Sequence, residues 1–415
     1  MTGIEPLLPL WLLVGLLAAS VAVALVTSRW SLPPSVVLIL VGLAVSFAGL
    51  AGDARLDPDL LLAIVLPGLV FEAAFRTDLG VFRPAAAGVL LLAIPGVVVV
   101  AAVVAVVLSA TTPLSLGEGF VVGSMVAATD PAAVLSTFRH VRVPARLATT
   151  VEMESLINDG TGIVLFALAL DLLAGGGSVG GSVVTFVISV VGSAVIGGLI
   201  GWLASRLVGR VDDHVTELTI TIVLAYGTYL IAASMGWSGV IATLAAASAF
   251  GWSAGERLTE RAREVIDDVW GLVAFLLTAG VFLLVGVSIP ASSLASAAGP
   301  ILAGIAAILL ARAIVVYGLL GGASRAVARL SIRRAPSCAT GDAPIPVAWL
   351  HVLFWAGLRG AVSVALALSL PHGLPNRELL QGITFGVVLF TLLVQGSTAA
   401  WLVRRTGAGR EASAV

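Results

Sequence analysis

The chain has 415 residues, 59% of them hydrophobic and only 11% charged, with a formal net charge of −1 and a mean hydropathy of +1.11. A soluble domain carries about 25% charged residues, so this composition cannot cover the surface of a soluble globule. It excludes a cytosolic enzyme and an extended disordered chain, and leaves a polytopic membrane protein, with the lipid bilayer as its first partner.

All 22 basic residues are Arg. The single Cys, Cys338, excludes an intrachain disulfide, and the four His (His140, His214, His351, His372) are too scattered to read as a metal cluster. No cofactor and no nucleic-acid partner are expected. The first apolar run lacks the basic flank of a cleaved signal peptide and reads as a retained membrane helix.

Apolar runs long enough to cross roughly 30 Å of hydrocarbon recur along the whole chain, and about thirteen spans are predicted. In chain order they are Leu7–Thr27, Pro33–Ala51, Leu60–Thr77, Pro84–Ala110, Leu116–Phe138, Ala145–Leu173, Val179–Leu207, Thr216–Met235, Ser238–Trp252, Val265–Ile289, Leu294–Leu320, Ile345–Leu370 and Glu378–Val403. With the N-terminus outside, eighteen of the 22 Arg fall in cytoplasmic loops, the tail or the cytoplasmic ends of spans, two (Arg55, Arg377) fall outside, and two (Arg312, Arg359) fall in the middle of spans. That asymmetry is the bias expected of a correct topology, so the C-terminus is expected in the cytoplasm. The longest loop, Gly321 to Pro344, reads as a cytoplasmic connection, and no segment is long enough for a soluble catalytic domain. The chemistry must lie inside the membrane.

A charge at membrane depth is a functional candidate by default. The candidates are Glu72 in span three, Asp130 in span five, Glu152, Glu154 and Asp159 in span six, Arg312 in span eleven and Arg359 in span twelve. In span five, Thr129-Asp130-Pro131 predicts a broken helix, because Pro131 lacks a backbone donor and disfavours helix at Asp130. Such a break survives only inside protein or along a cavity, where freed carbonyls and a carboxylate can hold a cation. In span six, helical geometry puts Ser155 and Asp159 on one face, with Glu152 close to it, and Glu154 and Asn158 on another. The first face offers hard oxygen ligands suited to Na⁺ or Li⁺. The second can pair with a buried Arg, for which Arg359, between Gly357 and Gly360, is the expected partner. Spans five and twelve are seven spans apart. If spans one to six and eight to thirteen form two repeats, an odd linking span inverts one against the other, and the interrupted helices occupy equivalent, crossing positions.

These segments resemble the NhaP-type sodium/proton antiporters, kin of animal sodium/proton exchangers. The likeness runs over nearly the whole chain: Leu66-Pro67 through Phe71-Glu72, Thr129-Asp130-Pro131, Glu152-Met153-Glu154-Ser155 through Asn158-Asp159, Gly236-Trp237-Ser238-Gly239, Phe282 through Gly286, Leu310-Ala311-Arg312 and Gly357-Leu358-Arg359-Gly360. Met153 departs from the Gly often found there. The resemblance implies an all-α homodimer. Residues 1–83 and 211–293, with linker helix 179–207, would form a dimerisation part, 84–173 and 294–403 a mobile six-helix core, and 404–415 a short cytoplasmic tail. It implies an ion held by Asp159, Asp130, Ser155 and Thr129, with Glu72 acting through water, and Glu154 and Asn158 pairing with Arg359. It also implies electroneutral exchange of Na⁺ for H⁺ in the inner membrane of a prokaryote, with K⁺/H⁺ exchange or a cation channel as alternatives.

An enzyme is not expected. Gly236-Trp237-Ser238-Gly239 fits the serine motif of rhomboid-type proteases, but the downstream His are His351, far along the chain near a span start, and His372, in a loop. A voltage sensor would need several Arg in register on one span, and here they occur singly.

Overall fold

The computed structural model describes residues 18, 34–47, 58–254, 257–288, 297–334 and 345–408. The predicted first span lies outside these residues apart from Ala18, as do Cys338 and the end of the tail. Every described element is helical: besides a single turn at Leu79–Phe82, they are α1 (Pro34–Phe47), α2 (Pro58–Arg76), α3 (Ala86–Thr111), α4 (Leu116–Met125), α5 (Ala132–His140), α6 (Ala145–Leu173), α7 (Val179–Val208), α8 (His214–Ser234), α9 (Gly239–Ala254), α10 (Glu260–Ser288), α11 (Ala298–Arg334), α12 (Val347–Trp355), α13 (Ala361–Leu368) and α14 (Arg377–Thr406). Among the described residues, seven helices are long and apolar enough to cross a membrane.

Two predicted boundaries shift. Helix α10 begins at Glu260, ahead of the predicted Val265, because its charged first turn continues the helix past the apolar stretch. Helix α11 runs on to Arg334 instead of ending at Leu320. The Ala and Arg of that extension are good helix formers, so hydropathy fell where helicity did not.

Local signals account for the ends that matter. Ser115 and Glu118 form a reciprocal capping box at the start of α4, and Asn376 before α14 donates to Glu118 Oε1 at 2.8 Å. At the start of α8 the exposed Asp213 accepts from the Thr216 hydroxyl and backbone N–H. These bonds hold the Asp213 carboxyl below its ordinary pKa, the side-chain bond contributing most.

Helices α1, α2, α8, α9 and α10 pack chiefly on one another, with α7 laid along α9. Helices α3 to α6 and α11 to α14 pack chiefly among themselves. The Gly197/Gly201 pair decides the α7–α9 approach: a Cβ at either position would sit 2.1 Å from the carbonyl oxygen of Ala242 or Ala246. That small-residue seam therefore lies within the chain. The opposite face of α7 exposes Val183, Val187, Val191, Val195 and Leu199, which suits lipid or another apolar surface.

Helices α4 and α5 form one broken pair, and α12 and α13 the other. The unwound segments meet at the backbone, where the Asp130 N–H donates to Leu358 O at 2.9 Å. Helices α11 and α14 each contain a π-helical stretch, Ile314–Leu320 and Thr391–Gly396. Such stretches are frequent near functional sites.

Candidate functional site

The breaks border a cavity of about 730 Å³ between the two groups of helices. Glu72, Arg76, Thr129, Asp130, Glu152, Asp159, Gly360 and Ser363 are among the residues lining it. Of the sequence-predicted ion ligands, the structure thus brings Glu72, Thr129, Asp130 and Asp159 to one space. Ser155 sits behind them, fully buried, with its hydroxyl 2.8 Å from Thr129 Oγ1.

Asp130 is held by backbone groups. Its carboxylate accepts from the N–H of Ala132, at the start of α5, at 3.0 Å. It also accepts from the N–H of Ala361, at the start of α13. The N-termini of both broken half-helices therefore converge on one carboxylate, where their unpaired N–H groups and dipoles favour a negative charge. Gly360 makes the approach possible, since a Cβ there would lie 2.0 Å from Asp130 Oδ2. Asp159, in the middle of α6, is close enough to Asp130 to feel its charge.

The second face of α6 is wired differently from the sequence expectation. Glu154 does not pair with Arg359. Its carboxylate is held in a two-pronged ion pair by Arg312 of α11, with Nη1 on Oε1 and Nη2 on Oε2, the latter at 2.9 Å. The same guanidinium donates to Leu353 O at 2.8 Å, so it also satisfies a carbonyl near the end of α12. Asn158 does not reach an Arg either. Its Oδ1 accepts from the Thr129 N–H at 2.9 Å and its Nδ2 donates to Thr129 Oγ1 at 2.7 Å, clamping the unwound chain next to Asp130. Arg359 is 1% exposed. It folds back to donate to Gly357 O at 2.5 Å, while its own N–H donates to Thr391 Oγ1 at 3.0 Å. Gly357 leaves room for both guanidinia: a Cβ there would meet Arg312 Nε at 2.8 Å and Arg359 Nη1 at 3.2 Å. The correction has a simple cause. Helical faces say which residues share a side, but only packing says which helix lies opposite.

The other candidates separate by position. Glu72 takes Arg76 Nη1 at 2.6 Å. Glu152 lines the cavity on the core side. Met153 is buried, and its Sδ accepts from the Thr77 hydroxyl at 3.4 Å, so the residue that departs from the family pattern joins α6 to the end of α2. Ser363 is a residue that sequence reasoning missed: fully buried on the cavity wall, with a hydroxyl that has no hydrogen-bond partner. The Gly360-Ala361-Val362-Ser363 run could have flagged it as the first turn after a break.

The sequence matches the model of the sodium/hydrogen exchanger transmembrane family over residues 16–405. The chain belongs to this family. Among curated relatives it is 37% identical to the Na(+)/H(+) antiporter ApNhaP of Aphanothece halophytica, over 91% of this chain and 70% of that protein. It is 33% identical to the Na(+)/H(+) antiporter NhaP of Pseudomonas aeruginosa, over 86% of this chain and 83% of that protein. Among solved structures, the sodium proton antiporter MjNhaP1 of Methanocaldococcus jannaschii superposes with a TM-score of 0.73 at 20% identity, over 96% of this chain and 99% of that one. The fold is therefore that of the NhaP antiporters, and this family member is a multi-pass membrane transporter.

Proposed function

We propose that the chain exchanges Na⁺ or Li⁺ for H⁺ across the inner membrane of a prokaryote, one for one and without net charge movement. The observation that carries this reading is the pair of carboxylates, Asp130 and Asp159, on the wall of one cavity beside two helix breaks that meet at the backbone. The names of the relatives, sodium/proton antiporters, point the same way.

Asp130 is committed to two helix N-termini, so it serves as a fixed negative wall. Asp159 is the exchanging group. A carboxylate at membrane depth takes a cation or a proton, and the two compete for it. Thr129, clamped by Asn158 and backed by Ser155, supplies oxygen ligands, and Glu72 contributes through water. Because the amide of Asn158 does not titrate and is spent on that clamp, Asp159 is the single titrating member of the Asn-Asp pair, which favours one proton per cation. Crossing is permitted only when the site is neutralised, since a bare charge in hydrocarbon is costly.

Helices α3 to α6 and α11 to α14 would move as the ion-binding core against α1, α2 and α8 to α10, with α7 as linker, in a homodimer whose C-terminus is cytoplasmic. In that topology the half-exposed Arg76 lies at the cytoplasmic mouth of the cavity.

The test uses purified protein in liposomes with a trapped pH dye, Na⁺, Li⁺ or K⁺ added outside, and membrane voltage clamped at several values. Na⁺- or Li⁺-driven proton movement that ignores voltage is expected. A response to K⁺ alone would change the ion. Voltage dependence would overturn the one-for-one count and implicate Asp130 or Glu72. Cation flux without proton movement would replace exchange by a channel.

A further inference from the structure

We infer that Arg76 acts as a tethered cation at the mouth of the cavity and sets the apparent affinity for the transported cation. The inference deepens the exchange reading and rests on it for the identity of that ion. Among the described residues that line the cavity, Arg76 carries the single positive charge against four carboxylates, Glu72, Asp130, Glu152 and Asp159.

Its placement follows from the sequence. Arg76 closes α2, where a positive charge suits the helix C-terminus, and stands one turn beyond Glu72, the spacing at which helical side chains meet. Its Nη1 lies 2.6 Å from Glu72 Oε1, and its Nε lies 3.7 Å from Asp267 Oδ1 on α10. Glu152, on α6, adds its own attraction from the core side. One guanidinium thus sits at the seam between the two groups of helices, drawn by acids from both.

The side chain of Arg76 is 50% exposed, and an exposed ion pair of this kind contributes little to stability. Its effect on an ion is larger. A cation arriving at Glu72 meets a carboxylate already neutralised, and the positive charge lowers the local cation concentration in a cavity whose other charges would raise it. Removing one such charge from a partly solvated cavity changes a cation's binding constant by about threefold to tenfold.

The test compares wild type with Arg76→Gln and Arg76→Lys in two readouts: Na⁺ binding to purified protein by calorimetry, and Na⁺-driven proton movement in liposomes at alkaline pH, where proton competition is weakest. Arg76→Gln is expected to bind Na⁺ about threefold to tenfold more tightly and to lower the apparent KM by a similar factor, with no gain in Vmax. Arg76→Lys keeps the charge and should keep the wild-type values. The gap between wild type and Arg76→Gln should narrow as ionic strength is raised with a large, non-transported organic cation. Unchanged Na⁺ binding in Arg76→Gln, or the same shift in Arg76→Lys, overturns the inference even where wild type exchanges normally. Tighter binding in Arg76→Gln, with no proton movement in any variant, supports the inference and instead overturns the exchange reading.

Discussion

The two broken helices share a backbone design and differ in charge. At the α4/α5 break an acid, Asp130, receives the N-termini of α5 and α13 and faces the cavity. At the α12/α13 break a base, Arg359, is buried and donates to the carbonyl of Gly357, just after α12. Each break thus places at the exposed helix ends the charge that their dipoles favour. The acid remains on the cavity wall and the base is folded inward. One break therefore offers a site, and the other braces it, with Arg312 and Glu154 extending the brace into α11 and α6.

The contrast can be broken most sharply on the site side. Asp159→Asn is expected to leave the folded protein intact, as judged by size-exclusion profile and melting temperature, while Na⁺-driven proton movement in liposomes falls to background. Exchange at wild-type rate in that variant would remove Asp159 from its role. On the brace side the order of effects reverses. Arg312→Met leaves Glu154 buried and uncompensated, which costs about 3–5 kcal/mol. It should appear as a large fall in melting temperature, with Arg312→Met/Glu154→Leu recovering much of it. A melting temperature unchanged from wild type would mean that the ion pair does not brace the break.

Asn158→Ala tests the join between the two. It strips the Thr129 N–H of its partner, a loss of about 1–3 kcal/mol, and frees the unwound chain beside Asp130. Exchange should weaken more than stability does, in contrast to Arg312→Met; equal losses of both would make Asn158 part of the brace. The smallest effect belongs to a helix end far from either break. The Asp213 carboxyl titrates below its unfolded value because it accepts from Thr216. Its contribution is present above the unfolded pKa and is lost as pH falls through the folded one. Amide protection factors in the first turn of α8, corrected for intrinsic exchange, should therefore fall on acidification through that range in wild type, and be low at every pH in Asp213→Ala.

Much of this arrangement is legible in the sequence where the signal is local. Pro131 after Asp130 marks one break and the Gly357/Gly360 pair marks the other, because missing donors and missing side chains act within a residue or two. Glu72, Thr129, Asp130 and Asp159 stand out as polar groups in apolar runs, and the structure brings all four to one cavity. The partner of Glu154 was not legible: 158 positions separate it from Arg312. Arg312 and Arg359 look alike to any rule that sees only polarity. The amide of Asn158 was misread for the same reason, since sharing a face with Glu154 does not fix what lies opposite.

By itself the sequence determined that this is a multi-spanning membrane protein, where its helices break, and which acids interrupt its apolar runs. Those properties follow from composition, from Pro and Gly, and from the cost of charge in hydrocarbon, all of which act along the chain. Only the tertiary structure decided which Arg holds Glu154, that two helix N-termini meet at Asp130, and that Arg76 lines the cavity paired with Glu72. These depend on which helices become neighbours, and that is settled by the packing of whole surfaces rather than by any residue's own preference.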